Sequence, residues 1–107
     1  MYNDIEICTR LGDIMNSDAR KRLILLLTDE LPVLRAKIGI SQDEIAKRIG
    51  ISRQTYSLIE TKKQAMTWLT FMGLLAFFEN NERSLSQLSA IGFFNEQDFL
   101  ECIQYLK

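Results

Sequence analysis

The sequence contains no histidine. That removes the commonest general base and the commonest metal ligand. Its two cysteines, Cys8 and Cys102, stand near opposite ends. Two isolated thiols make neither a disulfide framework nor a zinc site, which needs about four closely spaced ligands. They read as small buried hydrophobes. Glycine-rich phosphate loops, paired carboxylates in an apolar setting and a nucleophile beside a base are missing too. The chain therefore reads as a non-enzyme with no cofactor, no metal and no evident small-molecule ligand.

Long hydrophobic runs are also absent. The richest stretch, Trp68–Phe78, is about half the length that spans a bilayer. The opening MYNDIEICTRLGD lacks the basic-then-apolar order of a signal peptide. A cytoplasmic protein without a membrane partner is expected. Proline occurs once and glycine five times among 107 residues, and no segment alternates for long at period two. These features predict an all-α chain that forms one domain over residues 1–107.

Helix boundaries are legible. Ser17 is an N-cap candidate with Asp18 in the first turn. Leu23, Leu27, Leu31, Leu34 and Ile38 then fall near one face. Pro32 lies inside this stretch, so a kink, or a break near Thr28–Pro32 with a second helix starting at the proline, is expected. Gly39 reads as the stop. Ser41-Gln42-Asp43-Glu44 is a capping box opening a helix to about Ile49, with Gly50 as its left-handed end. Ser52 caps a helix to about Glu60, and Thr67 caps another from Trp68 to about Glu79. Ser84 and Gln87 read as a second capping box before a short helix ending at Gly92. Asn95 reads as the cap of a last helix, from Glu96 to about Leu106.

The spacing within 41–60 is specific. Ile45 and Ile49 lie four apart on one helix, with the small Ala46 beside them. Gly50 makes the turn and Ile51 plugs it. Tyr56 and Ile59, three apart, form the buried face of the next helix, with the Tyr56 hydroxyl expected at the surface. Two short helices joined steeply by a tight turn need these residue types at these offsets.

The segment Leu34–Glu60, LRAKIGISQDEIAKRIGISRQTYSLIE, resembles the phage-repressor/Cro-type helix-turn-helix (XRE) family. The resemblance extends over about residues 29–80, with helical flanks 1–28 and 81–107 beyond it. It implies a lambda-repressor-like helical DNA-binding domain with extra N- and C-terminal helices. It also implies an ion pair between Arg35 and Glu60 and a DNA phosphate contact from Gln42. Where the family often has glycine after the recognition helix, this chain has Thr61-Lys62-Lys63.

On that reading the helix 52–60 enters the major groove by its N-terminal end. Arg53 can give two hydrogen bonds to a guanine edge and Gln54 two to an adenine edge. Thr55 and Ser57 are further base-reading candidates. Ser52, Lys62 and Lys63 join Gln42 as phosphate contacts. Net charge is −1, but residues 35–63 carry seven basic and three acidic side chains between acidic flanks, which suits a local anionic partner. The partner implied is duplex DNA, bound by a homodimeric bacterial or phage transcriptional regulator. The alternative is a protein-interaction module on the same fold, an antitoxin-like or anti-repressor subunit. The helix 68–79 supports either: Trp68, Phe71, Met72, Leu75 and Phe78 form one apolar stripe, and Leu69, Leu74 and Phe77 a second. Both stripes need cover, from flanking segments bearing Phe93, Phe94, Phe99, Ile103 and Leu106 or from a second subunit.

Overall fold

The computed structural model describes residues 18–95 and 97–100. Expectations for Ser17, Cys8, Cys102, Glu96, Ile103 and Leu106 lie outside these residues. Five α-helices follow one another: α1 (Asp18–Ile38), α2 (Gln42–Ile49), α3 (Arg53–Glu60), α4 (Trp68–Glu79) and α5 (Glu82–Ala90). A 3₁₀ turn covers Phe93–Asn95, and residues 97–100 are helical. The described residues contain no strand.

The spine is α1. Leu23, Leu27, Leu31 and Leu34 recur every three or four residues, so they share one face, and each is buried. That face meets α3, α4 and α5. The break expected at Thr28–Pro32 does not occur: α1 runs unbroken for 21 residues with Pro32 inside it. Pro32 lies on the exposed side, while Leu31 and Leu34 next to it are sealed in the core. A stop at Thr28 would have pulled half of this leucine face out of register. Burial of the continuous face outweighs one missing backbone hydrogen bond. Thr28 turns its hydroxyl back to the Ile24 carbonyl at 2.7 Å, keeping its own polar atom satisfied.

Capping chemistry sets the other boundaries. The Ser41, Ser52 and Thr67 hydroxyls accept from the backbone N–H of Glu44, Thr55 and Thr70 at 3.0–3.1 Å. At Ser41 only this hydroxyl half of the capping box is formed among the described residues. Gly50 ends α2 with φ +82°, a left-handed conformation that favours glycine. The second capping box expected at Ser84 is replaced by Asn81, whose side-chain oxygen accepts from Arg83 and Ser84 N–H. Ser84 is instead buried within α5 and donates to the Phe78 carbonyl at 2.7 Å. Gln87 reaches α1, donating to Glu30 at 3.3 Å. The helix therefore begins three residues earlier than the serine suggested, because asparagine caps as well as serine does.

The apolar helix α4 is covered on one side. Trp68, Phe71, Leu74, Leu75 and Phe78 are buried. Trp68 stacks on Phe71 at 4.7 Å between ring centroids, and Phe93 lies 6.3 Å from Phe71 and 5.4 Å from Phe99. The cover expected from Phe93 and Phe99 is thus present. The expected membership of the stripes is corrected. Leu74 belongs to the buried face, whereas Met72 is exposed and Leu69 is 82% exposed. The helices α1, α2 and α5 reach one flank of α4, and Leu69 and Met72 point away from it. Arg22 and Asp98 tie the aromatic segment to α1 by two hydrogen bonds of 2.6 and 2.9 Å.

Replacing Pro32 by alanine tests the spine. It restores an N–H to the Thr28 carbonyl and removes the ring from an exposed helical site. The gain is set against greater freedom of the unfolded chain, leaving about 1–2 kcal/mol of added stability. Urea unfolding should show a raised midpoint; an unchanged or lowered one contradicts the account.

Candidate nucleic-acid interface

The site is assembled on the buried faces of α2 and α3. Ile45, Ala46, Tyr56 and Ile59 are each at most 2% exposed. Ile49 and Ile51 pack against that cluster at the turn. The turn closes through Gly50 and Ile51 N–H, which donate to the Ala46 carbonyl at 2.9 and 3.0 Å. With Tyr56 and Ile59 held inward, helical geometry turns Gln54 and Ser57 away from the core, and Arg53 is exposed as the first residue of the helix.

A polar brace locks α3 to the spine. Arg35 on α1 donates through Nε and Nη2 to the two carboxylate oxygens of Glu60, at 2.9 and 2.8 Å. Its third nitrogen, Nη1, reaches the Ile40 carbonyl at 3.2 Å in the loop before α2. Gln42 donates to Glu60 at 3.4 Å. One guanidinium therefore gathers α1, the α1–α2 loop and the last residue of α3. The planar fork suits arginine and not lysine.

The brace shapes the ionisation of its neighbours. Burial is the largest single influence and pushes the Glu60 carboxyl upward, but the bonds and charge of Arg35, with the neighbouring Tyr56 and Gln42, together outweigh it and hold the group below the usual carboxylate range. Tyr56 corrects an expectation. Its hydroxyl is buried rather than at the surface, and no described residue gives it a well-formed hydrogen bond. Burial first, and the adjacent Glu60 carboxylate second, push its ionisation far above the ordinary tyrosine value. It remains a neutral phenol inside the motif.

The candidate DNA contacts divide by environment. Arg53 and Gln54 are exposed at the start of α3, and neither side chain bonds to a described residue. Ser52 is exposed, but its hydroxyl is engaged, accepting from Thr55 N–H and donating to Thr55 Oγ1 at 2.9 Å. Thr55 and Ser57 are half-buried. Gln42 is also half-buried and holds Glu60. Lys62 and Lys63 are exposed in the loop after α3.

Two features of that loop were not read from the sequence. Lys62 adopts φ +65°, a left-handed conformation that disfavours residues with a β-carbon. The turn closes by Lys62 N–H to Ile59 and Lys63 N–H to Leu58, at 3.0 and 2.9 Å. The Lys62 ammonium is also ion-paired to Asp29 on α1. The conformation was hidden because lysine occupies a place where glycine would announce it. The pair was hidden because its partners are 33 positions apart in sequence.

The sign of the Glu60 shift gives a pH test. A carboxyl depressed in the folded state stabilises the fold above its unfolded value, about 4.3, and loses that contribution as pH falls through the folded value. Wild type should therefore lose stability below about pH 4 more steeply than Glu60→Gln. The two should converge in strong acid. Parallel stability–pH curves from chemical unfolding contradict the assignment. At neutral pH, Arg35→Ala should cost about 2–4 kcal/mol, since it strands a carboxylate that is only 8% exposed.

Residues 34–67 match the family model described as helix-turn-helix. No curated protein and no solved structure matches the chain significantly. The matched residues contain the Arg35–Glu60 brace, the Gly50 turn and all of α3. Among the described residues no helix is long and apolar enough to cross a membrane, and no group of three metal-ligating side chains occurs. The fold, the turn and the match agree: residues 34–67 form a DNA-binding-type helix-turn-helix of the phage-repressor/Cro class, set in an all-α, lambda-repressor-like arrangement of helices.

Proposed function

We propose that the protein is a sequence-specific, non-enzymatic transcriptional regulator that reads the major groove of duplex DNA with α3. The observation that carries this is the state of Arg53 and Gln54. Both are exposed, both lack a described side-chain partner, and both sit at the N-terminal end of a helix whose other face is locked into the core. A guanidinium and a primary amide there can satisfy guanine and adenine edges with paired hydrogen bonds. Thr55 and Ser57 supply additional contacts to base edges. Gln42, Ser52, Lys62 and Lys63 hold the flanking phosphates and so set the register. The helix-turn-helix match supports the DNA-binding class.

One motif spans too little duplex for high specificity, so the regulator acts as a homodimer on two half-sites. The whole chain works as one unit in the cytoplasm. A second reading, a protein-interaction subunit on the same fold, is favoured by the exposed Leu69 and Met72 on α4. Titrating salt against binding to random duplex DNA separates the two. Affinity that falls steeply with salt supports the regulator, and no binding at low ionic strength supports the interaction subunit.

Sequence reading is tested by Arg53→Ala. Against a duplex selected from a random library, it should weaken binding by about 1–3 kcal/mol and relax preference at one base pair. Equal loss on selected and random duplexes makes Arg53 a phosphate contact instead. Unchanged affinity removes it from the interface.

A further inference from the structure

We propose that Asp29 on α1 is a built-in competitor for the DNA phosphate that Lys62 would contact, so that the Asp29–Lys62 ion pair lowers affinity for DNA. The proposal rests on the DNA-binding reading and adds a residue outside the matched segment. Three observations meet at this point. The ammonium of Lys62 is paired with the Asp29 carboxylate, and both side chains remain more than half exposed, at 61% and 55%. The pair is therefore open to exchange with an incoming anion. Lys62 also occupies a left-handed backbone position, φ +65°, where glycine is the unstrained residue. A β-carbon there carries a backbone cost, which points to a use for the side chain. Finally, the adjoining Lys63 is exposed and has no partner among the described residues, so the same loop presents one neutralised cation beside one with no described partner.

The charge pattern of the motif supports this. Arg35 is bound by Glu60, Lys47 by Asp43 at 3.2 Å, and Lys62 by Asp29. Lys37, Arg48, Arg53 and Lys63 are exposed and have no described ion-pair partner. The Lys47 pair is local to α2, with both members on one helix. The Lys62 pair is the one that joins the loop after α3 to a different helix. A phosphate oxygen reaching Lys62 must displace the carboxylate, and the displaced negative charge then lies beside the DNA backbone. Exchange of one exposed carboxylate for one phosphate involves a small energy, so the effect is a trim on affinity rather than an on–off switch.

Wild type, Asp29→Asn, Lys62→Gly and the double variant should be titrated with a random-sequence duplex at several salt concentrations. Glycine suits the left-handed position, so Lys62→Gly keeps the fold while removing the cation. Asp29→Asn should tighten binding by about two- to five-fold, the factor that corresponds to an exposed ion pair. Its log–log salt slope should steepen by up to about 0.9, one further phosphate neutralised. In the Lys62→Gly background the same substitution should have a much smaller effect. An unchanged or weaker Asp29→Asn complex overturns the proposal while leaving DNA binding intact. Equal tightening in both backgrounds also overturns it, since that reports general repulsion by Asp29 and not the pair. Absence of salt-dependent binding by wild type overturns the DNA-binding reading itself, and this proposal with it.

Discussion

The contact between Arg35 and Glu60 organises the motif. A carboxylate that is only 8% exposed at the end of α3 would be costly without a partner, and the guanidinium satisfies both of its oxygens. Because Arg35 also holds the Ile40 carbonyl, the same side chain anchors the loop that launches α2. Gln42, the first residue of α2, leans on the same carboxylate. The relative placement of α1, α2 and α3 is thus referred to one charged group. Exposed ion pairs contribute little, but a forked, largely buried one fixes both distance and plane. The position of α3 is correspondingly well determined, which a base-reading helix requires.

Beneath this brace the core decides which residues of α3 are free. Tyr56 and Ile59 are taken inward, and Leu34 and Ile45 meet the same cluster. The Tyr56 hydroxyl follows its ring into the interior beside Glu60, without a well-formed hydrogen bond to any described residue. What remains outward at the start of the helix is Arg53 and Gln54. Their availability is a consequence of packing: an eight-residue helix with two anchored side chains has little rotational freedom left.

Charge is distributed by the same fold. The chain is slightly acidic overall, yet basic side chains stay exposed in the middle, because among the described residues only some of them find acidic partners. Arg35 and Lys62 are both drawn to other elements, one in a buried brace and one in an exposed pair. The first is a fixture of the fold. The second leaves its cation within reach of solvent. Tertiary contacts therefore decide how much positive charge the motif presents.

By itself the sequence determined the helical class, the turn at Gly50, the caps at Ser41, Ser52 and Thr67, and the inward residues of the motif. These depend on local chemistry: a left-handed turn favours glycine, a hydroxyl satisfies an N–H three residues on, and a helical period places apolar side chains on one face. The Arg35–Glu60 pairing was readable only through resemblance to a known motif, since its partners are 25 residues apart. Elsewhere only the tertiary structure decided. It kept α1 continuous through Pro32, because the buried leucine face is worth more than one hydrogen bond. Asn81 rather than Ser84 became the cap of α5, because Ser84 found an acceptor at Phe78. Leu69 and Met72 were left outside, because the neighbouring helices reach only one flank of α4. Asp29 met Lys62 because α1 passes the loop after α3, a proximity that no local pattern encodes.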